Sequence, residues 1–205
     1  MSEPSSPPSA TPPSPAPAAP AAGDDRAALR QRLLQARSAW AETPRFAPAQ
    51  QQVQAQLMRA LEKLEPHCLG VYWPLAGEFN PRDAALQAKA LWGCRLALPF
   101  ARKSPREMQF LAWDGETPSR QDECGILTAQ GEPTVPDVVL VPCVGFTDEG
   151  FRLGYGGGYF DRYLAAHPEV TAVGLGWALG RLTEAELKPQ AHDQPLVGVI
   201  TEGDS

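Results

Sequence analysis

The stretch richest in chemistry is GFRLGYGGGYFDRYL, residues 150–164. Gly154, Gly156, Gly157 and Gly158 let a backbone come close to a ligand and present N–H groups to it. Arg152 and Arg162 carry planar forks of donors that match phosphate oxygens. Asp161 is a hard oxygen ligand of the kind a magnesium ion takes when it bridges phosphates. Together these residue types point to a bound nucleotide with its metal. Two better-known phosphate signatures do not fit. A dinucleotide GxGxxG beginning at Gly154 needs glycine where Tyr159 stands, and no lysine of a Walker loop lies anywhere in 150–164.

Such a loop works only when rigid elements hold it. The apolar run DVVLVP (137–142) predicts a buried parallel strand just before it, and a helix is expected from about Gly158 to Ala166. Open α/β sheets place ligands beyond the carboxyl ends of their strands. Further strands are predicted at 68–73, 95–99, 107–113, 170–177 and 195–200, with 114–136 as loop. Helices are predicted from about Asp24 or Asp25, as cap, to Trp40; from Pro48 to Leu64; and from Asn80-Pro81 to Leu91. Leu29, Leu33, Leu34 and Ala36 make the apolar stripe of the first. Arg26, Arg30 and Arg37 recur there at intervals that keep at least two on one face. Strands alternating with helices predict an α/β fold: one domain, a mainly parallel sheet, helices on both faces.

The chain of 205 residues suits one such domain, with 43% hydrophobic and 20% charged residues. A formal charge of −6 argues against a nucleic-acid partner, and no apolar run approaches the roughly 18 residues of a membrane helix. Residues 1–22 are almost all Pro, Ala and Ser and are expected to be a disordered tail, with the folded domain over 23–205. Cys68, Cys94, Cys124 and Cys143 form no CxxC pair and read as small buried residues of a reducing cytoplasm.

The segment RLGYGGGYFDRYL resembles the hallmark of the 5-formyltetrahydrofolate cyclo-ligase family. RAALRQRLLQAR (26–37), VYWPLAGEFNP (71–81), LVPCVGF (140–146) and HDQPLVGVITE (192–202) are similar to its other blocks, so the likeness runs from about 24 to 202. Arg26 stands where the family commonly has lysine, Phe160 where it has tyrosine, and a glutamine is replaced near Gly180. The resemblance implies ATP-dependent cyclisation of 5-formyltetrahydrofolate to 5,10-methenyltetrahydrofolate, with ADP and phosphate released through a phosphorylated formyl intermediate. It implies ATP contacts at Arg26, Arg30, Gly150, Arg152, Leu153, Gly154, Tyr155, Gly156, Gly157, Gly158, Tyr159 and Asp161. It assigns catalysis to Glu78 and Arg152, the folate pocket to Trp73, Glu78 and Tyr159, and Mg2+ to Asp161 and Asp193. The expected partners are the two small-molecule substrates, ATP and the reduced formylfolate, bound by a cytoplasmic monomer.

Overall fold

The structure, a computed structural model, describes residues 22–203, with side chains from residue 25 onward. The tail expected over 1–22 therefore lies, Ala22 apart, outside the described residues. The elements run α1 (Ala22–Ala41), α2 (Phe46–Leu64), β1 (Cys68–Gly70), α3 (Arg82–Trp92), β2 (Arg95–Lys103) and β3 (Arg106–Trp113). Three short strands follow: β4 (Arg120–Gln121), β5 (Leu127–Thr128) and β6 (Pro133–Thr134). Then come β7 (Val138–Pro142), β8 (Gly145–Phe146), β9 (Arg152–Leu153), α4 (Tyr159–Ala166), β10 (Thr171–Leu175), α5 (Glu184–Leu187) and β11 (Gly198–Ile200).

Seven strands form one sheet in the order β11-β10-β7-β1-β2-β3-β6. From β11 to β2 every neighbour is parallel; β3 turns back against β2 and β6 against β3. Period-2 alternation sends the two faces of β2 to different cores. Leu96, Leu98 and Phe100 pack with Val53, Leu57 and Leu61 of α2 and Ala84, Ala85 and Ala88 of α3. Ala97 points the other way, into a core with Phe110, Val139, Val141 and Tyr163 and Leu164 of α4. Helices thus cover both faces of a mainly parallel sheet, as expected. Leu57 and Leu61 are wholly buried, and each such side chain contributes about 1.5–3 kcal/mol of transfer free energy.

Some expectations are corrected. α1 is already helical at Ala22, so Asp24 and Asp25 lie inside its first turns and do not precede them as caps. Ala36, expected in the apolar stripe, is exposed, and its neighbour Arg37 is buried instead. The stretch 114–136 holds three two-residue strands, too short and polar for any periodicity to show. Cys68, Cys94 and Cys143 are buried, but Cys124 is exposed. No helix among the described residues is long and apolar enough to cross a membrane.

Chain order reverses between β1 and β7: from β1 the chain steps outward to β2, and from β7 it steps the opposite way to β10 and β11. That switch point opens a crevice beyond the two strands' carboxyl ends. The segments leaving β1 and β7 are the ones that carry Glu78 and the glycine loop. α1 does not lie on the sheet. Its Leu33 packs with Val144, Leu153, Leu182 and Leu187 beside the β8–β9 hairpin, which brings its arginines to the crevice.

Candidate active site

A cleft of about 690 Å³ occupies the switch point. The segment after β1 contributes Tyr72, Trp73, Leu75 and Glu78; the segment from β9 contributes Arg152, the loop Gly154–Gly158, Tyr159, Phe160 and Asp161. α1 adds Arg26 and Arg30, and the C-terminal segment adds Gln190, His192 and Asp193. Pro99, Ala101 and Met108 of the β2–β3 ladder and a turn at Asp122–Ile126 complete the walls.

The glycine loop joins β9 to α4. Gly156 and Gly158 sit at φ 86° and 63°, the left-handed region that side chains disfavour. A Cβ on Gly156 would lie 3.3 Å from the Arg30 guanidinium, so the glycine also makes room for that arginine. Arg30 Nε donates to the Gly154 carbonyl at 2.6 Å, and burial followed by the neighbouring Arg26 lowers its basicity. Among the described residues, no N–H of 154–158 donates to a backbone or side-chain acceptor. These groups and the start of α4 present unpartnered positive dipole ends.

Arg152 is buried and bridges two elements: Nη1 donates to the Gln194 carbonyl at 2.9 Å and Nη2 to Asp161 Oδ1 at 2.9 Å. The Gln194 N–H also reaches Asp161 Oδ1, at 3.3 Å. Arg26 Nη1 donates to Asp193 Oδ2 at 2.8 Å, as does the Gln190 N–H. Burial pushes the Asp193 carboxyl up, but the Arg26 and Gln190 hydrogen bonds and the nearby positive charge outweigh it and hold it low. The described hydrogen bonds engage one oxygen of each of these two carboxylates. Among the described residues no three His, Cys, Asp or Glu side chains cluster as a metal cage. Magnesium with a nucleotide takes one or two carboxylates and fills its shell with phosphate and water, so Asp161 and Asp193 fit that use.

In the segment after β1, Glu78 is 9% exposed. Its Oε2 accepts the Leu75 N–H at 2.7 Å; its Oε1 accepts Arg37 Nη1 at 3.4 Å and the Tyr155 hydroxyl. Arg37 Nη2 donates to Tyr155 Oη at 2.7 Å. Burial first, then the Glu78 charge, raises the Tyr155 phenol pKa, so it acts as a donor. Trp73 is half-buried and meets Trp113 edge-on, ring centroids 6.3 Å apart, offering a flat wall.

Most residues singled out from the sequence therefore converge on one cleft, and three do not. Leu153 is wholly buried in the small core under α1, and Gly150 packs against Leu196, whose carbonyl a Cβ there would strike at 2.2 Å. Arg162 is exposed, pinned by the carbonyls of Arg106 and Gly157. Sequence reasoning missed Arg37 as a site residue and missed the Asp122–Ile126 turn. A signal for Arg37 existed: spacings of four and seven from Arg26 through Arg30 bring all three arginines onto one face of α1. Cys124, read as a core thiol, instead stands at the rim with its Sγ 3.2 Å from Tyr159 Oη.

A parallel sheet whose switch point opens into a basic, glycine-lined cleft defines an α/β enzyme. The sequence model of the 5-formyltetrahydrofolate cyclo-ligase family matches residues 22–202, and the chain belongs to that family. The chain is 26% identical over 160 residues to the 5-formyltetrahydrofolate cyclo-ligase of Haemophilus influenzae, covering 74% of this chain and 84% of the relative. It shares the fold of the 5,10-methenyltetrahydrofolate synthetase of Mycoplasma pneumoniae, with TM-score 0.71 and 22% identity over 87% of this chain and 99% of that one. The Aquifex aeolicus 5,10-methenyltetrahydrofolate synthetase aligns with TM-score 0.65 and 25% identity, covering 87% and 90% of the two chains.

Proposed function

We propose that this enzyme cyclises 5-formyltetrahydrofolate to 5,10-methenyltetrahydrofolate with ATP, releasing ADP and phosphate through a phosphorylated formyl intermediate. One observation carries the reading: a single cleft is lined by the loop Gly154–Gly158, whose N–H groups have no partner among the described residues, by Arg26, Arg30 and Arg152, and by a buried carboxylate, Glu78. The loop and its arginines suit a triphosphate, and the carboxylate suits a cationic, ring-closing carbon.

The chemistry needs two steps. A formamide oxygen is a poor leaving group, so it first takes the γ-phosphoryl group and ADP departs. N10 of the same folate then attacks the formyl carbon, its proton is lost, and the C–O bond breaks. The formyl oxygen leaves with phosphate, so no water is consumed. Ring closure within one bound molecule lowers its barrier by about 7–11 kcal/mol relative to a bimolecular reaction. Phosphoryl transfer rests on position and charge neutralisation, the part given to Arg30, Arg152 and the loop N–H groups. Asp161 and Asp193 would hold magnesium, which neutralises phosphate charge when bound. Glu78 accepts a hydrogen bond from the folate near N10 and stabilises positive charge at the formyl carbon; Trp73 lines the pterin pocket. The four free thiols suit a reducing cytoplasm.

The purified protein with ATP, magnesium and 5-formyltetrahydrofolate should develop the near-ultraviolet band of the methenyl product and release one ADP per product. Product without ADP, or ADP release indifferent to the folate, would count against this reading.

A further inference from the structure

Glu78 is a buried carboxylate, and a buried ionic group is tolerated only when it is paired and hydrogen-bonded. Among the described residues Arg37 alone lies within ion-pair distance, with both side chains below one-tenth exposed. Tyr72 and Cys143 also face the carboxylate and supply no positive charge; burial pushes the Cys143 thiol up to about 12. Arg37 itself lines no part of the cleft. It reaches the cleft only through Glu78 and through Tyr155, whose ring centroid is 5.6 Å from its Cζ.

Three donors from three segments fix the two oxygens of Glu78: Arg37 from α1, Tyr155 from the glycine loop and the Leu75 N–H from the loop after β1. The Arg37–Tyr155 hydrogen bond braces the first two against each other. A fully satisfied buried network of this kind is rigid, and losing one member leaves the others short of partners. Tyr155 belongs to the loop Gly154–Gly158, so one side chain ties that loop directly to the Glu78 carboxylate.

We infer that Arg37 and Tyr155 are positioning residues for Glu78, holding its carboxylate aimed at the folate and linking it to the nucleotide loop. The inference rests on the folate reading of Glu78 given above. Its test is a double-mutant cycle: Arg37→Met, Arg37→Lys and Tyr155→Phe, each alone and combined with Glu78→Gln. The readouts are kcat, KM for each substrate, 5-formyltetrahydrofolate affinity by calorimetry, and melting temperature.

Losing a bond to a charged group predicts about a ten- to a hundred-fold fall in kcat for Arg37→Met, with KM for ATP within about twofold of wild type. Lysine should restore part of that loss, because it keeps the charge without the fork. Tyr155→Phe should lower kcat by about three- to thirtyfold. In the Glu78→Gln background each change should cost less than about threefold in kcat or folate affinity, because its target has gone. Equal losses in both backgrounds would overturn the inference and leave Arg37 and Tyr155 as structural residues. If Arg37→Met does not fold, the Tyr155→Phe cycle decides by the same criterion. Wild-type product formation, measured alongside, keeps a failed cycle distinct from a failed function.

Discussion

Arg152→Ala separates two roles that the structure assigns to one side chain. A guanidinium has five N–H donors, and Arg152 uses one on the Gln194 carbonyl and one on Asp161. Truncation leaves the Gln194 carbonyl without this partner and Asp161 Oδ1 with only the long Gln194 N–H bond. Breaking a buried pair costs about 3–5 kcal/mol, and the Asp161 side chain is 21% exposed, so about 2–4 kcal/mol is expected here. For a domain of this size that is a fall of about 4–16 °C in melting temperature. The remaining donors are free for a phosphate. Their loss should weaken ATP binding about ten- to a hundred-fold, from charge-assisted bonds of about 1.5–3 kcal/mol. Arg152→Lys should recover part of the affinity but little of the stability, because one ammonium cannot span two acceptors in fork geometry. Thermal melts and a nucleotide titration on the three proteins, well below their melting temperatures, provide the measurement. Unchanged ATP affinity in the alanine variant refutes the anchor, and an unchanged melting temperature refutes the bridge.

Asp193 should contribute to stability in a pH-dependent way. Its folded carboxyl is held low, so its contribution is full above the ordinary carboxylate range near pH ~4 and is lost as pH falls through the lowered folded value. Denaturant midpoints measured across the acid range should show a shallower decline in Asp193→Asn than in wild type; identical slopes would refute the Arg26 pairing. Leu57→Ala removes a wholly buried side chain of α2 from the larger core and should cost about 2–5 kcal/mol in denaturant unfolding, with turnover per folded molecule unchanged. A cost below about 1 kcal/mol would mean that this core repacks freely.

Much of the scaffold was legible because the relevant signals are local. Val138–Val141 is an uninterrupted β-branched and leucine run, and it is the sheet strand on which the switch point turns. Gly158 closes the glycine loop and α4 begins at Tyr159, within one residue of the expected start. The loop's capacity for phosphate could be read from residue types alone. The β8–β9 pairing inside the glycine-rich segment could not, because two residues carry no period. The four-residue α5 was missed although its capping box, Thr183 with Glu186, was present in the sequence.

What the sequence concealed is the chemistry made by long-range pairing. Glu78 reads as a solvated loop acid until Arg37, 41 residues away, and Tyr155, 77 residues away, are brought against it. An arginine beside Leu33 and Leu34 on a first helix reads as surface. Its burial follows only because α1 leaves the sheet and leans on the β8–β9 hairpin through Leu33, Val144 and Leu153. The same lean carries Arg26 and Arg30 to the glycine loop and Asp193, about three and two turns back along the same face from Arg37. This apolar packing thus helps to place Arg26 and Arg30 at the cleft and Arg37 against Glu78. Without it the glycine loop would still be a glycine loop, but Glu78 would have no partner that makes its burial tolerable. The packing of Leu33 therefore bears on the placement of all three arginines.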